Sequence, residues 1–258
     1  MPDETPLIAA AVGNTRARLG FFRGTNLVES EAFASADIGA ASGFLDRVLA
    51  QCPAADAVVG SVNNPLADKL DQILSDRAEV NAIRRAGVSL PVPLQHRLED
   101  ASTLGVDRAL NALGAYSKTK QACVVVDAGT AVTVDFVDGE GTFHGGVIAP
   151  GLRMMLESLC ERTSQLPEVA YSVPDAGKGP FGLTTQHAML LGVTGALRGL
   201  VRYVTEQYAV FYDGYPQIVA TGGDAGVLDE EGIVEHIVPD LQLIGIEASY
   251  RAAVHDQQ

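Results

Sequence analysis

Two hydrophobic periods alternate along the chain. Residues 7–12 (LIAAAV) are continuously apolar, Gly13-Asn14-Thr15 interrupts the run, and residues 16–22 then alternate polar with apolar. That pattern predicts two strands joined by a tight turn. The same shape returns over residues 122–137, where Cys123-Val124-Val125-Val126 leads into Asp127-Ala128-Gly129-Thr130, and Val132, Val134 and Phe136 then alternate with Thr133 and Asp135. The alternation predicts that Asp135 faces solvent. A repeat of about 115 residues is too long for a solenoid unit and suits two related domains. Between the copies, apolar residues at helical spacing predict helices over residues 38–52 and 64–76, with a short strand over 57–62. Further helices are expected over 151–163 and 185–208. Strands alternating with helices argue for an α/β fold, divided near residues 116–121 into domains 1–117 and 118–258.

Composition narrows the functional classes. The chain has 258 residues, 47% of them apolar, which suffices for a large core and excludes disorder. A formal net charge of −14 gives no general attraction to nucleic acid or anionic lipid. A bound anion must therefore be held locally, by backbone N–H groups, a cation or single arginines. Cys52, Cys123 and Cys160 form no C-x-x-C pair, so neither a disulfide framework nor a zinc knuckle is expected. With no membrane-length apolar run and no basic start to the sequence, a cytoplasmic location is expected.

Candidate chemistry gathers at the turns. Glycine lets backbone N–H groups approach an oxyanion and a neighbouring Thr hydroxyl adds a donor, so the Gly13-Asn14-Thr15 and Gly129-Thr130 turns are either plain tight turns or a paired polyphosphate cradle. Neither is a Walker or Rossmann motif. Asp127 ends an apolar strand before such a turn, which makes it a candidate cation ligand or an ordinary turn-capping Asp. In Gly105-Val106-Asp107-Arg108 a helix begins; Asp107 either complements the helix dipole or accepts a substrate proton, and Arg108 either pairs locally or grips a carboxylate. Residues 145–151 (GGVIAPG) are read as a small-residue connection between strand and helix, and Thr221-Gly222-Gly223-Asp224 as a strand closed by two glycines. Residues 167–182, with three Pro and three Gly, read as a loop over a site. His144 and His187 lack metal-ligand spacing and read as surface or supporting polar groups.

The order of these motifs resembles the type III pantothenate kinases of the actin-like and sugar-kinase superfamily. The matching segments are Gly13-Asn14-Thr15, Gly105-Val106-Asp107-Arg108, Asp127-Ala128-Gly129-Thr130, Gly145-Gly146 to Pro150-Gly151, Leu166-Pro167, Thr185 and Thr221-Gly222-Gly223. The resemblance implies two ribonuclease-H-like domains with mixed sheets flanked by helices. It also implies transfer of the ATP γ-phosphate to pantothenate, the first step toward coenzyme A, with Mg2+, a monovalent cation (K+ or NH4+) and a homodimer. By similarity Asp107 is the general base, Gly105, Val106, Asp107, Arg108 and Thr185 bind pantothenate, and Asp127 binds the monovalent cation. ATP falls to Gly13, Asn14, Thr15, Arg16, Gly129, Thr130, Gly222 and Gly223. Two positions depart from the pattern: Ala11 stands where the family's first turn usually has Asp, and Leu98 where a Tyr is common. Ala11 and Leu98 keep a second reading open, a catalytically impaired homologue that binds a nucleotide or a partner.

Overall fold

The computed structural model describes residues 5–229 and 232–255. The chain forms two compact units: one takes the chain up to Lys120, Gly141–Phe143 and everything from Asp240 onward; the other takes Gln121–Glu140 and His144–Pro239.

In the first unit the elements are β1 (Leu7–Val12), β2 (Arg16–Arg23), β3 (Asn26–Ala34), α1 (Ala41–Leu49), β4 (Ala55–Ser61), α2 (Asn64–Ser75), β5 (Val80–Arg85), β6 (Gln95–His96) and α3 (Val106–Thr119). Its sheet runs β3-β2-β1-β4-β5, antiparallel across β1/β2 and β2/β3 and parallel across β1/β4/β5. All six residues of β1 are buried, as its unbroken apolar run requires of a central strand covered on both faces. One face, with Ile8, Ala10 and Val12, packs with Phe44, Leu45 and Leu70 of α1 and α2. The other, with Leu7, Ala9 and Ala11, packs with Leu110 and with Leu243, Ile246 and Tyr250.

The second unit holds β7 (Cys123–Ala128), β8 (Ala131–Val137), most of β9 (Thr142–Pro150), α4 (Leu152–Glu161), α5 (Thr185–Tyr212), β10 (Gln217–Thr221), α6 (Gly226–Asp229) and β11 (His236–Ile237). Its strands run β11-β10-β7-β8-β9, antiparallel across β7/β8 and parallel across β7/β10/β11. This is the same order as β5-β4-β1-β2-β3, with the same polarity across β11/β10/β7/β8 as across β5/β4/β1/β2, so the hairpin repeat in the sequence is a repeat of sheet topology. Even-numbered residues Val124, Val126, Val132, Val134 and Phe136 build the core beneath α4 and α5. Asp135, expected at the surface, is only 1% exposed. Alternation identifies two faces of a strand but cannot say whether the second is covered. Gly146 on β9 makes the room: a Cβ there would collide with the Asp135 side chain and the Val134 carbonyl.

Sequence position assigns residues 241–255 to the second domain, yet packing assigns them to the first. The last helix, α7 (Leu241–His255), buries Leu243, Ile246 and Tyr250 against the second face of β1, a face left bare unless a helix from elsewhere covers it. Its Tyr250 hydroxyl donates to Asp56 Oδ2 at 2.8 Å, and Arg84 pairs with the same oxygen at 3.0 Å. Burial first, then the Asp56 carboxylate, pushes the Tyr250 hydroxyl up to about 12. The ordinary tyrosine value is about 10, so the folded form gains stability that is complete below pH ~10 and lost as pH rises toward ~12. Urea titrations between about pH 9 and 12 should show that loss, on the order of 2 kcal/mol, and Tyr250→Phe should remove it.

Candidate functional site

In the first unit the glycine turn follows β1 at the carboxyl edge of the parallel strands, where open α/β sheets place ligands. The Gly13 N–H donates to the Arg16 carbonyl (2.9 Å), closing the hairpin, and Ser35 clamps it from outside through Thr15 O (2.9 Å) and Gly13 O (3.0 Å). Asn63, which caps α2 at the end of β4, donates to Asn14 Oδ1 at 3.2 Å. Asn14, Thr15 and Arg16 stay exposed on this braced turn. Ala11 is 6% exposed and lies in the apolar cluster with Leu110.

At the same edge, beyond β5, Gly87 lies against Val106; a Cβ on it would be 3.2 Å from Val106 Cγ2. This holds the start of α3, where Gly105 is the N-cap and Asp107 the first-turn acid. The Asp107 carboxylate folds back so that Oδ1 accepts from the Arg108 N–H at 2.8 Å. A Cβ on Gly105 would sit 2.5 Å from that oxygen. The φ of Gly105 is −59°, open to any residue, so a side chain there would be opposed only by the Asp107 carboxylate, which would have to turn aside. The Arg108 guanidinium carbon lies 5.7 Å from the centroid of the Phe143 ring, a cation–π distance that steadies it. Just upstream, Asp100 receives the Ser102 hydroxyl at 2.7 Å and its N–H at 2.9 Å, bonds that hold its carboxyl below the usual carboxylate range. Leu98, in the stretch leading to this turn, is half-buried.

In the second unit three backbone turns meet. The Asp224 N–H donates to Ala128 O (2.9 Å), Gly151 N–H to Thr130 O (3.1 Å), and Gly129 N–H to Ala131 O (3.0 Å). Gly222 has φ +92°, and a Cβ on it would be 2.6 Å from Asp127 Oδ1 and would collide with Ala128 O. Glycine there satisfies both a left-handed backbone and an oxygen-lined notch. Asp127, Gly129, Thr130, Gly222 and Gly223 thus share one backbone cradle. Residues 145–150, expected as a connection, continue β9 instead, and only Gly151 breaks the chain before α4.

Thr185 opens α5 and is exposed; Thr184 is the N-cap, its Oγ1 accepting from the His187 N–H at 3.2 Å. The two histidines part ways. Half-buried His144 contacts Asp138 Oδ2 at 2.7 Å and lies tilted against the Phe136 ring, centroids 5.5 Å apart. His187, read from sequence as a surface or supporting polar group, is 7% exposed, with neither ring nitrogen hydrogen-bonded. The apolar Ala188-Met189-Leu190 that follows it was the available signal. Among the described residues no group of three or more His, Cys, Asp and Glu side chains gathers as a metal site, and no helix is long and apolar enough to cross a membrane.

The profile of the type III pantothenate kinase family matches residues 7–207. Curated relatives bearing that description include proteins of Rubrobacter xylanophilus, 31% identical over 95% of this chain and 97% of its own length, and Sphingopyxis alaskensis, also 31% identical over 95% and 97%. Among solved structures, a Baf-family protein of Campylobacter jejuni superposes with a TM-score of 0.57 at 20% identity, covering 96% of this chain and 99% of that one. Component A of the Acidaminococcus fermentans (R)-2-hydroxyglutaryl-CoA dehydratase does so with a TM-score of 0.52 at 16% identity, covering 97% and 99%. These two likenesses concern the fold alone.

Proposed function

Since the chain belongs to the type III pantothenate kinase family, we propose that it transfers the γ-phosphate of ATP to the primary hydroxyl of pantothenate with Asp107 as general base. The observation that carries this assignment is the carboxylate geometry at the start of α3. Oδ1 is taken by the Arg108 N–H, which leaves Oδ2 to accept the hydroxyl proton. The pantothenate oxygen attacks the γ-phosphorus, its proton passes to Asp107, and the bond to the β-phosphate oxygen breaks to release ADP. Positioning supplies most of the rate in such a transfer.

Arg108, held against Phe143, offers a planar fork to the pantothenate carboxylate, with Gly105, Val106 and Thr185 as further contacts. Gly13, Asn14, Thr15, Arg16, Gly129, Thr130, Gly222 and Gly223 are assigned to ATP. Mg2+ arrives with ATP as part of the substrate, since Mg2+ keeps most of its ligands as water and phosphate oxygens. A carboxylate oxygen beside a backbone carbonyl suits a monovalent cation better than a divalent one, and Asp127 Oδ1 and the Ala128 carbonyl, which meet at Gly222, fit K+ or NH4+ in that respect. The reading includes a homodimer, to which the exposed Tyr203, Val210 and Phe211 of α5 offer apolar surface.

Pantothenate-dependent ADP formation, measured with Mg2+ and with K+ or Na+ for the native chain and Ala11→Asp in parallel, tests the reading. The native chain is expected to turn over, faster in K+; silence with both cations overturns the activity. Ala11→Asp is expected to keep kcat within about tenfold and to lose about 1–3 kcal/mol of stability, because its carboxylate enters the cluster around Leu110. A native chain silent beside an active Ala11→Asp would favour the impaired-homologue reading.

A further inference from the structure

We propose that the cavity between the loop after β5 and the last turns of α7 is a binding site for a small aliphatic monocarboxylate, held at its oxygens by Arg84 and Ser89. The inference goes beyond the kinase reading and does not depend on it. The cavity has a volume of about 90 Å³ and lies wholly within the first unit. Arg84, Ser89 and Tyr250 bring polar groups to it, and Leu90, Pro91, Ala253 and Val254 give it apolar walls. Such a space is roomy enough for several waters, but each needs about two to four polar partners, and most of this lining offers none. A ligand with one polar end and one apolar end matches the lining better.

Arg84 has donors to spare. Its Nη1 is engaged on Asp56 Oδ2 at 3.0 Å, whereas Nε and Nη2 have no hydrogen-bond partner among the described residues. The chain shows twice what a guanidinium can hold. Arg47 bridges Glu29 and Glu31 at 2.8 and 2.6 Å, and Arg85 bridges Asp68 and Asp71, both at 2.7 Å. Arg84 holds one carboxylate and lines a cavity that can take a second. The site is also built in advance. The Arg84 guanidinium carbon lies 5.8 Å from the centroid of the Tyr250 ring, which steadies it. The loop is braced by the Ser89 and Leu90 N–H groups, both donating to the Arg85 carbonyl at 2.9 Å. Ser89 Oγ accepts from the Arg85 N–H at 2.8 Å, which leaves its hydroxyl proton to donate.

Charge and size select the ligand. A chain of net charge −14 repels anions on average, so an anion needs a local arginine. Asp56 already offsets part of the Arg84 charge, which favours a monoanion over a phosphate dianion. A neutral amide would forgo the charge-assisted bonds to the fork. The volume limits the apolar end to a few carbons, and isobutyrate is a suitable probe.

Ligand-observed NMR and thermal denaturation with sodium isobutyrate, at constant ionic strength, test this on the native chain, Ala253→Leu and Arg84→Lys. Isobutyramide and inorganic phosphate serve as comparison probes. The native chain is expected to bind isobutyrate with a Kd on the order of 1–10 mM, and its Tm to rise with isobutyrate concentration. The comparison probes should bind at least about tenfold more weakly. Ala253→Leu fills the cavity and leaves Arg84 on Asp56, so binding should vanish while the ligand-free Tm stays at or above the native value. Arg84→Lys keeps a cation for Asp56 and loses the fork, which should weaken binding about tenfold. No binding up to about 50 mM isobutyrate overturns the proposal. Binding that persists unchanged in Ala253→Leu lies elsewhere, as at Arg108, and also overturns it. So does phosphate or isobutyramide binding as tightly as isobutyrate. Should Ala253→Leu not fold, Arg84→Lys and Val254→Phe decide by the same criteria.

Discussion

Asp107→Asn should lower kcat by about 10²- to 10⁴-fold, the usual contribution of a positioned general base. The asparagine keeps an oxygen for the Arg108 N–H, so the turn at Gly105 and the start of α3 stay as they are. What it loses is the second oxygen's capacity to take a proton. Binding should survive: the pantothenate-induced rise in Tm persists and KM moves by less than about tenfold, since Arg108 over Phe143 is untouched. A kcat within about tenfold of native would remove Asp107 from the proton transfer. Phosphoryl transfer tolerates a weak base when positioning is good, so the lower end of the range is the more informative threshold.

Gly245→Val should cost about 3 kcal/mol or more, enough to threaten a domain whose total stability is of order 5–15 kcal/mol. The helices α3 and α7 cross with their backbones in contact. A Cβ on Gly245 would collide with the Leu110 carbonyl, and one on Gly114 would lie 3.0 Å from Gly245 N. Helix propensity argues the other way, since replacing glycine gains up to about 1 kcal/mol in a helix interior. The clash is with backbone, which cannot step aside as a flexible side chain can, so the packing loss wins. Gly195 in α5 makes the control: a Cβ there meets nothing within 4 Å, and Gly195→Ala should stabilise by about 0.5–1 kcal/mol. Urea denaturation of the two variants should therefore give opposite signs. Because α3 carries Asp107 and Arg108, Gly245→Ala, which adds the same colliding Cβ without the further methyl groups, should also lower kcat.

Much of the architecture was legible in the residue pattern. The continuous apolar runs at 7–12 and 123–126 read as strands, and they are the central strands of the two sheets; the glycines after them read as tight turns, either plain or phosphate-holding. Helix bounds came within a few residues: α2 was expected over 64–76 and spans Asn64–Ser75, and α5 was expected over 185–208 and runs four residues further to Tyr212. The early helix was misjudged at its start, since residues 35–40 are a kinked 3-10 segment and α1 begins only at Ala41. The glycines of residues 145–150 misled because glycine marks both a turn and a close approach. Here Gly146 is strand, small because the Asp135 side chain lies against it.

The sequence by itself determined the strand and helix order, the duplicated hairpin and the family, because these depend on local periodicity and on motif order. Only the tertiary structure decided that Asp135 and His187 are buried, that residues 241–255 complete the first unit, and that the Asp107 carboxylate lies over Gly105. Each of those is a relation between segments far apart in the chain or between side chains in space. Burial of a polar residue depends on what covers its face, and no local pattern of hydrophobic and polar positions records which distant helix or strand will cover it.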